Sequence, residues 1–383
     1  MLTDALCAVG WCVYLPIRVW LRTQLKHAQI KNILICNNVR GLGNLVLLSP
    51  LLLNVKKIYP LAQVTVLMPE TPLARIVDGS ELADRFIFYD IDHTNKWRML
   101  KYGWDELRPQ TFSLVLHTFF SGTLFVAFWF FVARCRYRIG YAQSQIRGFL
   151  NLYTFLDDGR HEIERHLRLI KVTGHDVERR LALHVTEKDR AYATKFFRRC
   201  GLTDGTPIVG VHPGSDRVNV LKRWDAGRFV EVINAVLEQE RAKVLVFLGP
   251  DDMDLYEKFK VALKAGHQFV TGESINHVAA IIGKCRAFLS NDSGLMHLAA
   301  AMGLPITAIF GPTGTEKNMP LSPTVTIIQK DLECRPCYKG APIICTQPRQ
   351  YCLESIETDA VSKAVIKSLN FIEHISIEVR DHA

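Results

Sequence analysis

The feature that most constrains the fold is a series of short, continuously apolar runs that occurs twice. NILIC (32–36), QVTVLM (63–68), RFIFY (85–89) and SLVLH (113–117) make the first series. PIVGVH (207–212), AKVLVFLG (242–249), HQFVT (267–271), RAFLS (286–290) and PITAIF (305–310) make the second. Helical stretches such as 226–240 and 252–264 fall between them. Strands apolar on both faces must be covered on both, and helices returning between them make the sheet parallel. Two series therefore imply two Rossmann-like α/β domains, joined near residues 175–205. A chain of 383 residues can bury two cores, and 48% apolar with 22% charged residues is a globular composition.

Ligands of an open parallel sheet bind beyond the carboxyl ends of its strands. The polar turns lie there: HPGSD (212–216), GPDD (249–252), NDSG (291–294) and GPTGT (311–315). Any one of them is ordinary turn chemistry, but four at successive strand ends point to a site. In SNDSGLMHLAAAMGLP (290–305), Asp292 or Ser293 can cap a helix, Gly294 admits a close approach, and His297 follows one turn in. A helix N-terminus with spare N–H groups and an imidazole nearby suits phosphate. RGLGN (40–44), after the first strand, is similar to a phosphate loop but matches neither GxGxxG nor a Walker sequence.

The net charge of +9 favours anionic partners. With no long Lys/Arg run or zinc-finger spacing, nucleic acid is not expected among them. Residues 1–29 lack the charged start and cleavage site of a signal peptide and are marginal for a span. Trp11, Tyr14 and Trp20, followed by Arg22, Lys26, His27 and Lys31, suit a membrane-interface segment; a helix packed on the body is the alternative. LFVAFWFFV (124–132) is expected as a buried helix. Without a secretion signal a reducing compartment is expected, which disfavours disulfides. Four of the ten cysteines cluster in CRPCYKGAPIICTQPRQYC as Cys334, Cys337, Cys345 and Cys352, the ligand count for tetrahedral zinc or iron. Four thiolates leave no open position, so such an ion would be structural.

The combination of VRGLGNLVLLSPLL, GVHPGSDRVNVLKRW, GPDD and SNDSGLMHLAAAMGLPITAIFGPT resembles glycosyltransferase family 9, the ADP-heptose:lipopolysaccharide heptosyltransferases, across roughly residues 30–360. The resemblance implies the GT-B fold of two facing Rossmann-like domains. An acceptor-binding domain would cover 30–180 and a donor-binding domain 181–356, with the Cys-rich loop at 334–352 and a helix at 357–383 returning to the first domain. It implies an inverting transfer of heptose from ADP-heptose to lipopolysaccharide core, peripheral on the cytoplasmic face of the inner membrane, with no cofactor for the chemistry. Related protein heptosyltransferases hold iron at similar Cys-rich loops.

Carried over position by position, Asn291, Asp292, Ser293, Gly294 and His297 become donor-binding residues, with Gly214, Ser215 and Lys222. Asp251 or Asp252 would accept from ribose hydroxyls, and Arg223 is read as a surface neighbour of Lys222. One position departs. The family's general-base aspartate is replaced by Asn44, which can orient a hydroxyl but cannot take its proton. His117 is the substitute that topology offers, its other reading being a core histidine. A transferase acting on a protein such as an autotransporter, and a catalytically silent binding member, remain as rival functions.

Overall fold

The computed structural model describes residues 19–38, 41–79, 81–89, 96–118, 129, 132–144, 147–155, 159–203, 205–239, 242–338 and 342–370. It divides into two units: residues up to Val185 with Glu316–Met319, and Thr186–Thr315 with the chain from Pro320 onward.

In the first unit six strands, β1 (Asn32–Cys36), β2 (Gln63–Pro69), β3 (Arg85–Tyr89), β4 (Leu114–His117), β5 (Tyr137–Tyr141) and β6 (Leu152–Thr154), form one parallel sheet ordered β3-β2-β1-β4-β5-β6. The second unit repeats that order. β7 (Ile208–His212), β8 (Lys243–Phe247), β9 (His267–Val270), β10 (Ala287–Asn291), β11 (Ile306–Ile309) and β12 (Val325–Ile328) run β12-β11-β10-β7-β8-β9, again all parallel. Both are doubly wound α/β sheets, in which the chain reverses direction beside the first strand of each series.

Burial explains the apolar runs. All five residues of β7 are buried, as are all five of β10. Gly210 in β7 has a packing reason: a Cβ there would lie 2.5 Å from the Phe288 ring on β10. Polar exceptions gather at the carboxyl ends of strands, where Asn37, His117, His212 and Asn291 are all buried.

The helix Thr358–Leu369 belongs to the second unit. Its stripe of Val361, Ala364, Val365 and Leu369 packs on the helix Ala226–Gln239 and on β10 and β11, and Ser368 Oγ lies 3.3 Å from Thr307 Oγ1. The i, i+3, i+4 spacing of that stripe needs an apolar sheet face, and the nearest in sequence is the one it covers. Residues 371–383 lie outside the described residues. So does most of 124–132, of which Trp129 is buried against Tyr89 with ring centroids 5.3 Å apart. Trp11 and Tyr14 are likewise outside them, while residues 19–27 are helical. Among the described residues no helix is long and apolar enough to cross a membrane.

Candidate functional site

In the second unit the reversal point falls between β7 and β10, so the loops after His212 and Asn291 border one crevice. Asn291 joins them. Its Nδ2 donates to Pro213 O at 2.7 Å and Gly214 O at 3.3 Å, and its Oδ1 accepts from Trp224 N at 3.1 Å. The side-chain amide is fully buried and spent on backbone, which makes Asn291 a positioning residue.

Ser293 caps the helix Gly294–Ala301 by accepting from Met296 N at 3.4 Å. Its first turn holds no carboxylate, and its small residues Gly294, Ala299 and Ala300 let it sit close to the sheet. Beside the cap, Lys222 Nζ stands 3.0 Å from Asp292 Oδ2, the two side chains only 14% and 6% exposed. The same ammonium lies 5.4 Å from the centroid of the Tyr338 ring. His297 is buried one turn into the helix. A cation and the positive end of a helix thus share one opening, an arrangement suited to diphosphate.

Arg223 is not a surface residue. Its guanidinium is 13% exposed and meets Asp252 Oδ1 at 3.0 Å, Asp251 O at 2.7 Å and Ser215 O at 3.2 Å. Asp252 is buried and already accepts from Ser215 N at 3.1 Å and Gly249 N at 3.2 Å, so its carboxylate organises the loop. Asp251 is exposed. Gly214 is required by this hub: a Cβ there would fall 2.0 Å from Asp252 Oδ1. Sequence reasoning missed the hub; GPDD following a strand, with an Arg after Lys222, is the signal that would have found it. Next to it His212 donates from Nδ1 to Phe247 O at 3.0 Å, and burial holds its pKa below the usual value against the opposing pull of Asp252.

The four clustered cysteines are free and line one cavity of about 20 Å³, room for a single water-sized sphere. Burial, reinforced by the neighbouring thiols, raises the pKa of Cys337; burial likewise raises that of Cys352. Among the described residues no group of three or more His, Cys, Asp or Glu side chains is placed to hold a metal ion as it stands. The loop also braces the crevice. Cys337 N and Tyr338 N both donate to Pro312 O, at 3.0 and 3.2 Å, and Gln350 Nε2 donates to Leu221 O next to Lys222. Arg335 donates to Gly311 O and, at 3.1 Å, to Thr313 O.

In the first unit the reversal point lies between β1 and β4. Asn44 is exposed in the first turn of the helix Leu42–Ile58, which has no carboxylate there and no side-chain cap at Gly41. His117 ends β4 opposite Cys36 and has no exposed surface.

Residues 103–343 match the family description Glycosyltransferase family 9 (heptosyltransferase). The chain is 28% identical over 304 residues to lipooligosaccharide heptosyltransferase 2 of Haemophilus ducreyi, covering 75% of this chain and 85% of that protein. It is 27% identical over 236 residues to lipopolysaccharide heptosyltransferase 2 of Escherichia coli, where the match covers 58% of this chain and 63% of that protein. The crystal structure of the glycosyl transferase family 9 from Veillonella parvula superposes with a TM-score of 0.75 at 22% identity, covering 89% of this chain and 99% of that one. At that identity the superposition speaks for the fold alone, two parallel α/β units of the GT-B class.

Proposed function

The chain belongs to glycosyltransferase family 9, and from that premise we propose that it transfers a heptose from ADP-heptose to lipopolysaccharide core with inversion. The observation that carries this reading is the Lys222 ammonium beside Asp292 at the start of the helix Gly294–Ala301. In an inverting transfer the acceptor hydroxyl attacks the anomeric carbon as the nucleotide diphosphate leaves. Lys222 and the first-turn N–H groups would offset the charge on the departing ADP. Gly214, Ser215, Asp292, Ser293, Gly294 and His297 would surround the diphosphate and Asp251 would reach the ribose, with Asn291 and Asp252 holding the loops in place. Residues 181–356 would bind donor and residues 30–180 acceptor, on the cytoplasmic face of an inner membrane. The four thiols would take one structural zinc or iron, a reading supported by their number and their shared cavity.

Titration calorimetry with ADP tests the donor assignment. His297→Ala is expected to weaken ADP about tenfold, the effect of losing about one charge-assisted contact, and Asp292→Ala to weaken it through Lys222, whose ammonium loses the carboxylate that holds it in place. Unchanged affinity in both, with melting curves like wild type, would remove the assignment.

Asn44 favours a second reading, a silent member that binds nucleotide sugar without transfer, because no carboxylate stands in that first helical turn. If His117 is the base, His117→Ala lowers turnover by ~100-fold or more while ADP affinity stays near wild type. Full activity in that variant excludes His117. An inactive wild type that gains transfer through Asn44→Asp marks the silent member instead.

A further inference from the structure

At the edge of the first sheet opposite His117, the amino-terminal ends of β1, β4 and β5 border a cavity of about 550 Å³. His27, Lys31, Arg134 and Arg136 are among its lining residues, and no carboxylate is. The helical residues 19–27 supply one wall through Gln24 and His27. That helix is fastened to the body by Leu25, buried to 1% exposure, and by Arg22 Nε, which donates to Val172 O at 2.9 Å. Its outer end leaves Val19 and Trp20 exposed, at 60% and 56%. Arg134 occupies the left-handed region at φ 45°, a conformation that costs an arginine what it would not cost a glycine. The Arg136 guanidinium lies 5.4 Å from the centroid of the Tyr137 ring.

We propose that this cavity binds the phosphate headgroup of an anionic phospholipid while Val19 and Trp20 enter the membrane interface beside it. Three permanent cations with no carboxylate among the lining residues select an anion, and the space exceeds what one phosphate needs. The exposed Trp20, on the helix that walls the cavity and also carries Arg22 and Lys26, is what turns an anion site toward a lipid: an aromatic ring suited to headgroup depth on a basic segment. The site is built from residues of the first unit and does not depend on the reaction proposed for the second.

Sedimentation with phosphatidylglycerol vesicles, and with phosphatidylcholine vesicles as the neutral arm, tests it on the full chain. Wild type is expected to bind the anionic vesicles only. Arg134→Gln with Arg136→Gln should weaken that binding by about 30-fold, roughly fivefold for each charge removed near an anionic surface. Trp20→Ala should weaken it as well. Arg198→Gln with Arg199→Gln, an equal loss of charge on exposed residues of the second unit, should retain at least half of the wild-type affinity. An equal loss in that control would reduce the effect to net charge and overturn the site. Calorimetry with inorganic phosphate separates the sources: phosphate binding lost in the cavity variant, without vesicle binding by wild type, would overturn the lipid assignment.

Discussion

A Lys222→Met chain is expected to lose ~100-fold or more in turnover, the loss that follows removal of one preorganised positive partner from developing charge. A second effect accompanies it. Asp292, only 6% exposed, would be left without its counter-charge, and stranding one member of a buried ion pair costs about 3–5 kcal/mol. In a unit of this size that lowers the melting temperature by roughly 10 °C. The two effects separate in a double variant. Adding Asp292→Asn removes the stranded charge, so the melting temperature should recover while nucleotide release with acceptor present stays low. A double variant that regains turnover would mean that Lys222 serves only to balance Asp292.

An Arg223→Ala chain is expected to show a similar loss of stability through a different carboxylate. Asp252 keeps its backbone donors Ser215 N and Gly249 N but loses the guanidinium at 3.0 Å, again a cost of about 3–5 kcal/mol. The second partner of Arg223 contributes little: Asp254 is 61% exposed, and a pair open to water is worth about 0–1 kcal/mol. Asp254→Ala should therefore melt like wild type. Arg223→Lys should recover only part of the loss, because a lysine cannot reach Asp252 and the Ser215 and Asp251 carbonyls together. Thermal melts followed by ADP titration check the order. An Arg223→Ala chain melting within about 2 °C of wild type would show that Asp252 does not depend on it.

The sheets were legible where strands are buried on both faces, since nothing but a covered strand tolerates IVGVH or AFLSN. β5 escaped because Tyr137–Tyr141 places an arginine and a glycine among its apolar residues, and β6 because three residues carry no period. β12 is half-buried along its length at the sheet edge, so its pattern is weaker than that of the central strands. The turns after β7 and β10 could be located from their polar residues, yet which of those residues face a ligand could not. Asn291 and Asp252 have the composition of ligand-binding residues, but their atoms are taken by Pro213, Gly214, Trp224, Ser215, Gly249 and Arg223. Such pairings span tens of residues, and local spacing carries no trace of them. The stripe of Thr358–Leu369 has the same limit: an apolar stripe states that a face must be covered, not which one.

The order of the second sheet has a consequence for biosynthesis. β7 emerges from the ribosome first but is central, and its neighbour β10 begins only at Ala287. Until then one edge of β7 stays unpaired, and the apolar face of β10 and β11 waits longer still, for Thr358–Leu369. Contacts so distant in sequence form slowly, and exposed strand edges are where nascent chains associate wrongly. The crevice at Asn291 is therefore among the last parts of this unit to exist, and a chain released before Thr358–Leu369 would carry the residues of the proposed donor site without the platform that arranges them.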